Sequence, residues 1–263
     1  MKQIKKTDIY SLKVADLKKT YGEIKAVNGV SFDAHIGEVI TLLGPNGAGK
    51  STLMNIMAGY LAATSGDVFI NGKSVAESDL QTKKDVGFLP EGSPLYGDMT
   101  VRMFLKYFIE LKLNLCESEV LSNRQIQQTY RDEFERIVSV AKIENVLPQK
   151  IETLSKGYAR RVGFAVSLIG DPPILLLDEP TDGLDPNQKE HMRALIKNMS
   201  TNKTILISTH LLDEAETISS RIILMNLGKI VANGSLKEIL SQTKKKTLAD
   251  AFKILTCGDL ADE

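Results

Sequence analysis

Between Leu12 and Ile40 apolar and polar residues alternate, with Val30, Phe32, Ala34 and Ile36 on one side. A period of two marks half-buried strands, so this stretch predicts antiparallel strands broken at Tyr21-Gly22 and Asn28-Gly29. Val39 to Leu43 is an unbroken apolar run that ends at glycine. Lys50 to Ala58 then reads as helix, capped at its C-terminus by Gly59. A hairpin follows around Asp67 to Ile70, with Asn71-Gly72 as a turn pair suited to positive φ. Val86 to Leu89 is a short strand stopped at Pro90.

The period then changes. From Val101 to Ala141 the spacing is helical, and Ile126, Tyr130, Phe134, Ile137 and Ala141 share one face. Beyond it come a helix (Val162 to Ile169), a strand (Ile174 to Leu177), a helix (Asn187 to Met199) and a strand (Thr204 to Ser208). Leu211 to Ile218 and Arg221 to Met225 continue the alternation, which points to a parallel sheet buried on both faces. Ser235 and Glu238 form a capping box that opens a short helix. The tail from Ser241 carries Lys244 to Lys246 and an amphipathic Leu248-to-Leu255 segment. The expected organisation is an α/β core from residues 1–90 and 151–240, a helical subdomain at 91–150, and a helical tail at 241–263.

A chain of 263 residues can hold such a core with one appended subdomain. Lys plus Arg and Asp plus Glu each number 33, so the net charge is zero. Nucleic-acid binders carry a basic excess that displaces counterions, and no nucleic-acid partner is expected here. Cys116 and Cys257 lie far apart, outside any ligand-spaced cluster, and read as reduced thiols of a cytoplasmic protein. The basic start, Met1 to Leu12, lacks the apolar stretch of a signal peptide, and no run approaches the length of a membrane span.

The chemistry sits at two strand ends. Gly44-Pro45-Asn46-Gly47-Ala48-Gly49-Lys50-Ser51, followed by Thr52, fits the P-loop pattern between an apolar strand and a helix. Its glycines let backbone N–H groups curl toward phosphate oxygens, beside a helix N-terminus. Lys50 is expected to reach the β- and γ-phosphates, and Ser51 to ligate Mg²⁺. The strand Ile174 to Leu177 delivers Asp178, suited to the Mg²⁺ water shell, and Glu179, suited to be general base on the attacking water.

Leu154-Ser155-Lys156-Gly157-Tyr158 precedes a helix and the second strand, and resembles the signature of ATP-binding cassette proteins. Asp178 to Pro180, Gly183-Leu184-Asp185 and Ser208-Thr209-His210 complete that family's order over roughly Leu12 to Gly234. The resemblance implies a P-loop NTPase core with a RecA-like parallel sheet, an antiparallel β subdomain and an inserted helical subdomain. It implies that Tyr21 stacks on adenine, and that Ser155 and Gly157 contact the γ-phosphate held by an opposite subunit. Asp185 would link the two sites across the dimer, and His210 would contact the γ-phosphate and hold the lytic water. His35 and His191 read as structural. The cofactors implied are ATP and Mg²⁺, and the partners are a second nucleotide-binding subunit, identical or related, and a membrane permease. The location implied is the cytoplasmic face of the inner membrane.

Two positions depart from the family pattern. Glu91 stands where glutamine is usual, which adds a carboxylate beside Asp178 and Glu179 that could still touch Mg²⁺ or its water. Lys156 and Tyr158 replace glycine and glutamine in the signature, and a solvated Lys156 is preferred over a phosphate contact. With Gly87 to Glu91, Pro94 to Tyr96, Met99 to Val101 and Arg160 to Gly163, the chain is similar to ATPase subunits of bacterial type 2 exporters. The expected function is to energise export through a separate permease, which in the family docks near Glu91 to Tyr107. The alternative is a non-transport cassette acting on ribosomes or DNA, and a third reading is a regulatory module without turnover.

Overall fold

β1 (Leu12–Tyr21) and β2 (Ile24–Ala34) pair antiparallel, then β3 (Val39–Leu43) leads into α1 (Lys50–Met57). The structure is a computed structural model that describes residues 10–77, 79–92, 95–116 and 123–257. Positions 1–9, Pro94 and the last six tail residues lie outside the described residues, as do the side chains of Cys116, Ile126 and Cys257. After α1 come β4 (Ser65–Ile70), β5 (Lys73–Ser74), α2 (Asp79–Asp85) and β6 (Val86–Leu89). Asn71 and Gly72 both have positive φ, the backbone of a tight hairpin turn between β4 and β5. Then follow α3 (Val101–Cys116), α4 (Asn123–Ala141), α5 (Lys156–Ser167), β7 (Ile174–Asp178) and α6 (Pro186–Met199). β8 (Thr204–Thr209), α7 (Leu212–Ile218), β9 (Arg221–Asn226), β10 (Lys229–Gly234), α8 (Leu236–Thr243) and α9 (Leu248–Cys257) complete the chain.

The strands form two sheets. An antiparallel sheet has the order β2-β1-β4-β5, and a second has the order β10-β9-β3-β8-β7-β6. In the second, β9, β3, β8, β7 and β6 are parallel, and β10 closes one edge antiparallel. Alternate residues of its strands go to different cores. Leu175, Leu177, Ile205 and Ile207 join a core shared with α3, α4, α5 and α6. Ile174, Leu176, Leu206, Ile40 and Leu42 face α1 and the antiparallel sheet. Burial on both faces explains why these strands read as continuous apolar runs.

On α4, Ile137 and Ala141 are buried, and Tyr130 and Phe134 pack against the same core. Among the described residues the helical segment has no core of its own; it shares one with a face of the parallel sheet. α8 and α9 cover β9 and β10 through Ile239, Leu248 and Ala251.

Several local expectations are corrected. β2 is not broken at Asn28-Gly29 but runs through it, with Leu17 paired to Val30 and Lys18 to Asn28, so Gly29 is the extra residue of a bulge. Ile36 does not join the buried row; it lies in the turn after Ala34 and is 62% exposed. α5 starts at Lys156, ahead of Val162, because Ser155 caps it by accepting from the Tyr158 N–H. β10 had no counterpart in the sequence reading, and α8 runs across position 241.

Candidate functional site

Parallel pairing puts three strand ends side by side. Leu43 of β3 is in register with Thr209 of β8, and Asp178 of β7 with Ser208. The segments after β3, β8 and β7 therefore emerge together at the carboxyl edge of the sheet, where α/β proteins bind ligands. β6, next in the sheet, delivers Glu91 to the same edge.

The loop from Gly44 to Ser51 is locked into its curve. Gly49 has φ 98° at the N-cap of α1, and a Cβ there would lie 2.1 Å from the Ala26 carbonyl oxygen. Only glycine fits such an approach. The β9–β10 turn holds the loop from the other side: the Gly228 N–H donates to the Ala48 carbonyl at 3.1 Å, and the Gly228 carbonyl accepts from the Asn28 N–H at 2.8 Å.

Lys50 is buried, and its Nζ donates to the carbonyls of Gly44 at 2.7 Å and Pro45 at 3.1 Å. Burial pulls its pKa below the usual lysine value, and the charges of Glu179, Asp178 and Glu91 oppose that shift. An open cleft of about 600 Å³ surrounds the loop, lined by Asn46, Gly47, Ala48, Gly49, Lys50, Ser51, Thr52, Glu91 and Glu179. Ile24, Ala26 and Leu227 form its apolar side, with Lys25 between the first two in sequence. Glu91 thus belongs to this cleft. Tyr21 is not part of the lining; it stands half exposed at the end of β1, with the Lys19 ammonium 5.1 Å from its ring centre.

Glu179 is held from several directions. It adopts φ 51°, a left-handed conformation uncommon for a side-chain-bearing residue and concentrated at functional sites. Its N–H donates to the Ser208 carbonyl at 2.9 Å. Oε1 lies 2.8 Å from His210 Nδ1, and Oε2 accepts from Thr209 Oγ1 at 3.3 Å. The carboxylate is largely covered, and the His210 ring is half exposed.

Asp178 is buried, and its Oδ1 has no hydrogen-bond partner among the described residues. A buried, unpaired carboxylate oxygen is costly unless a cation or its water completes it. With the Ser51 hydroxyl, it supplies the hard oxygen donors that Mg²⁺ prefers, so these residues fit that ion. The three carboxylates Asp178, Glu179 and Glu91 do not converge as a cage. Among the described residues no group of three or more His, Cys, Asp or Glu is poised to hold a metal. Mg²⁺ is characteristically bound through few carboxylates plus substrate phosphates, which agrees with that sparse set.

Ser155, Gly157 and Asp185 line no part of this cleft. Ser155 caps α5, and Asp185 caps α6 by accepting from the Gln188 N–H at 2.9 Å. The two helix starts interlock, since a Cβ at Gly157 would lie 2.5 Å from Gln188 Oε1. His35 bonds Asp33 at 2.8 Å, away from the cleft, and His191 lies on α6.

The sequence assigned no role to two charged residues, although Arg160 lies in the stretch that carries the exporter resemblance. Arg160 is buried on α5 and donates to the carbonyls of Pro90 at 2.8 Å, of Glu179 at 2.7 Å and of Asp178. One side chain therefore ties the signature helix to the ends of β6 and β7. Glu214, on α7, is fully buried and accepts from Thr181 Oγ1. The available signal was a charge on an otherwise apolar helix face: Arg160 is four residues before Phe164, and Glu214 four before Ile218, both buried.

Residues 27–182 match the family model described as ABC transporter. The chain is 34% identical over 230 residues to the ABC transporter ced-7 of Caenorhabditis elegans, covering 88% of this chain and 13% of that protein. It is 33% identical to human ATP-binding cassette sub-family A member 9, of which it covers 14%. The chain thus spans only a small part of these long relatives. The lantibiotic transport ATP-binding protein SrtF of Streptococcus pyogenes is matched nearly end to end, at 34% identity over 84% of this chain and 89% of SrtF. Among solved structures, an ATP binding subunit of an ABC transporter superposes with TM-score 0.79 at 27% identity, over 93% of this chain and 98% of that one. A dimeric bacterial ABC transporter cassette, solved also in a post-hydrolysis state bound to ADP and Pi, superposes with TM-score 0.75 at 28% identity, over 86% of this chain and 98% of that one. With a P-loop, a paired Asp178-Glu179 and a signature-like helix start in this order and on this fold, the chain belongs to the ABC transporter family.

Proposed function

We propose that this subunit hydrolyses ATP in a closed dimer and couples that cycle to export through a separate membrane permease. The observation that carries the reading is one cleft shared by Lys50, Ser51, Glu91 and Glu179, with Glu179 oriented by His210 and Thr209. The P-loop N–H groups and Lys50 would hold the β- and γ-phosphates, with Tyr21 and the apolar side of the cleft beside the base. Glu179 would take a proton from water as its oxygen attacks the γ-phosphorus and the bond to the β-phosphate oxygen breaks, leaving ADP and phosphate. His210 would orient that carboxylate and reach the γ-phosphate. Ser51, Asp178 and Glu91 would hold Mg²⁺, which would supply charge neutralisation at the phosphates.

Ser155 and Gly157 lie at the start of a twelve-residue helix, where backbone N–H groups and the dipole favour an anion. In the proposed dimer, identical or mixed, they close over the γ-phosphate bound by the partner, and Asp185 links the sites. ATP then stabilises the closed pair and its loss releases it. Residues 1–90 and 151–240 would act as one lobe, 91–150 as the lobe that moves, and 241–263 as an appended tail.

For the permease, the support is an exposed apolar surface: Tyr96, Met103, Tyr107 and Leu111 lie on or beside α3. Solvent-facing apolar groups gathered in this way mark an interaction site. Among the described residues no helix is long and apolar enough to cross a membrane. The proposed place of the subunit is the cytoplasmic face of the inner membrane, against its permease. Nothing favours a ribosome or DNA target.

Steady-state ATPase assays test the reading. The wild type is expected to turn over. Glu179→Gln should bind nucleotide yet lose at least about a hundredfold in kcat, because an amide cannot accept the proton. Lys50→Ala should lose nucleotide affinity itself. Turnover by Glu179→Gln at the wild-type rate would remove Glu179 from the role of base.

A further inference from the structure

Glu214 has no part in the reaction as described above, yet it lies directly behind it. The residue is fully buried on α7, and its Oε1 accepts from Thr181 Oγ1. Thr181 follows Glu179 by two positions and opens the turn that leads to Asp185. On the other side stands Thr209, whose hydroxyl donates to Glu179 Oε2 at 3.3 Å. The same hydroxyl oxygen accepts from the Leu211 N–H at 3.1 Å, in the turn that carries His210. Glu214 Oε2 has no hydrogen-bond partner among the described residues, and Arg193 Nη2 approaches Oε1 only to 3.9 Å. That guanidinium is engaged more closely by Asp213, at 2.6 Å.

The donors here are limiting. Thr209 has one O–H proton, which goes to Glu179, and Thr181 serves Oε1 alone, so among the described residues Glu214 Oε2 is left without a donor. A neutral Glu214 answers that shortage, because its unpaired oxygen then carries a proton in place of a charge. Burial pushes the Glu214 carboxyl toward this neutral form and the charge of Glu179 adds to the push, while Thr209, Arg193 and Lys189 oppose it.

We infer that Glu214 is a positioning residue for hydrolysis: from its place on α7, the helix just after His210, it holds through Thr181 the segment carrying Glu179 and the segment carrying His210 in one register. The inference rests on Glu179 being the base. Glutamine mimics the neutral acid, since its amide oxygen can accept from Thr181 and its N–H can stand where the acid's proton would. Alanine does neither.

Four variants test it by kcat per folded molecule, KM for ATP, nucleotide Kd and thermal stability. Glu214→Gln should keep kcat within about twofold, and Glu214→Ala should lose about tenfold or more with Kd unchanged. Thr181→Val, which keeps the volume and removes the hydroxyl, should lower kcat in the same way and decides the matter where the alanine variant does not fold. The double variant Thr181→Val with Glu214→Ala should fall no further than the worse single one, as expected for partners in one contact. A merely structural Glu214 would lower stability and leave kcat per folded molecule intact, and that result overturns the inference. So does a loss confined to Kd. Glu179→Gln run alongside separates the failures. If it still hydrolyses ATP, the reading beneath is wrong; if it is dead while Thr181→Val and Glu214→Ala are not, only the positioning role falls.

Discussion

A guanidinium on the buried side of α5 donates to the carbonyls that end β6 and β7, those of Pro90, Asp178 and Glu179. Burial lowers the Arg160 pKa, and Asp178, Asp182, Glu179 and Glu91 oppose the shift, so the charge is kept by its carboxylate surroundings. Arg160→Met would fill the volume and strand buried carbonyls. The expected cost is about 2–5 kcal/mol in urea unfolding, since removing one partner leaves the others unsatisfied. Arg160→Lys should recover only part of it, because a point charge cannot reach two strand ends with a planar fork. A loss below about 0.5 kcal/mol would mean the carbonyls find other donors. At Tyr21 the expectation concerns ligand affinity. Tyr21→Ala should weaken ATP binding by about 1–3 kcal/mol in calorimetric titration, and Tyr21→Phe should be nearly silent, because stacking uses the ring face. Equal losses in both would assign the effect to the hydroxyl.

At the scale of elements, α8 offers the cleanest test of local sequence logic. Ser235 accepts from the Glu238 N–H, and the Glu238 carboxylate accepts from the Ser235 N–H, a full capping box. Ser235→Ala should cost about 0.5–2 kcal/mol in thermal or urea unfolding, without touching ATP hydrolysis. α7 provides the pH test. The Glu214 carboxyl titrates higher in the folded protein than its ordinary value of 4.5, so above that pH the folded state binds more protons than the unfolded one. Stability from this group is therefore complete below pH 4.5 and declines as pH rises through the folded pKa. Glu214→Gln removes the decline, and its stability relative to wild type should grow with pH; a constant difference would contradict the shift. The elements also show what a sequence displays and what it hides. Continuous apolar runs announced β3, β7 and β8 because each strand is buried on both faces. The bulge at Gly29 was hidden, because a glycine within a strand looks like a turn until its partner strand is known. β10 was hidden too: half-exposed edge strands carry little apolar signal, and Lys229–Gly234 buries Ala232 alone.

Across the whole molecule, motif order was legible and mutual position was not. The P-loop, Asp178-Glu179 and His210 could each be read as strand-end segments, but only the β3-β8-β7 adjacency shows why they meet. The roles of Arg160 and Glu214 escaped because their partners are backbone carbonyls and a threonine far away in sequence, which no local pattern reveals. Ser155 and Gly157 are the opposite case. Their positions are plain in the sequence, and within one chain they line no part of the P-loop cleft. In the proposed dimer they complete the cleft of a second subunit, so the whole mechanism depends on dimer formation. Multi-angle light scattering of Glu179→Gln, with and without ATP and Mg²⁺, tests that claim most directly. The expected result is a rise from one chain of 29.0 kDa to twice that mass on adding ATP, with no rise for Glu179→Gln carrying Lys50→Ala. A Glu179→Gln protein that binds ATP at saturation and stays at the mass of one chain would contradict it.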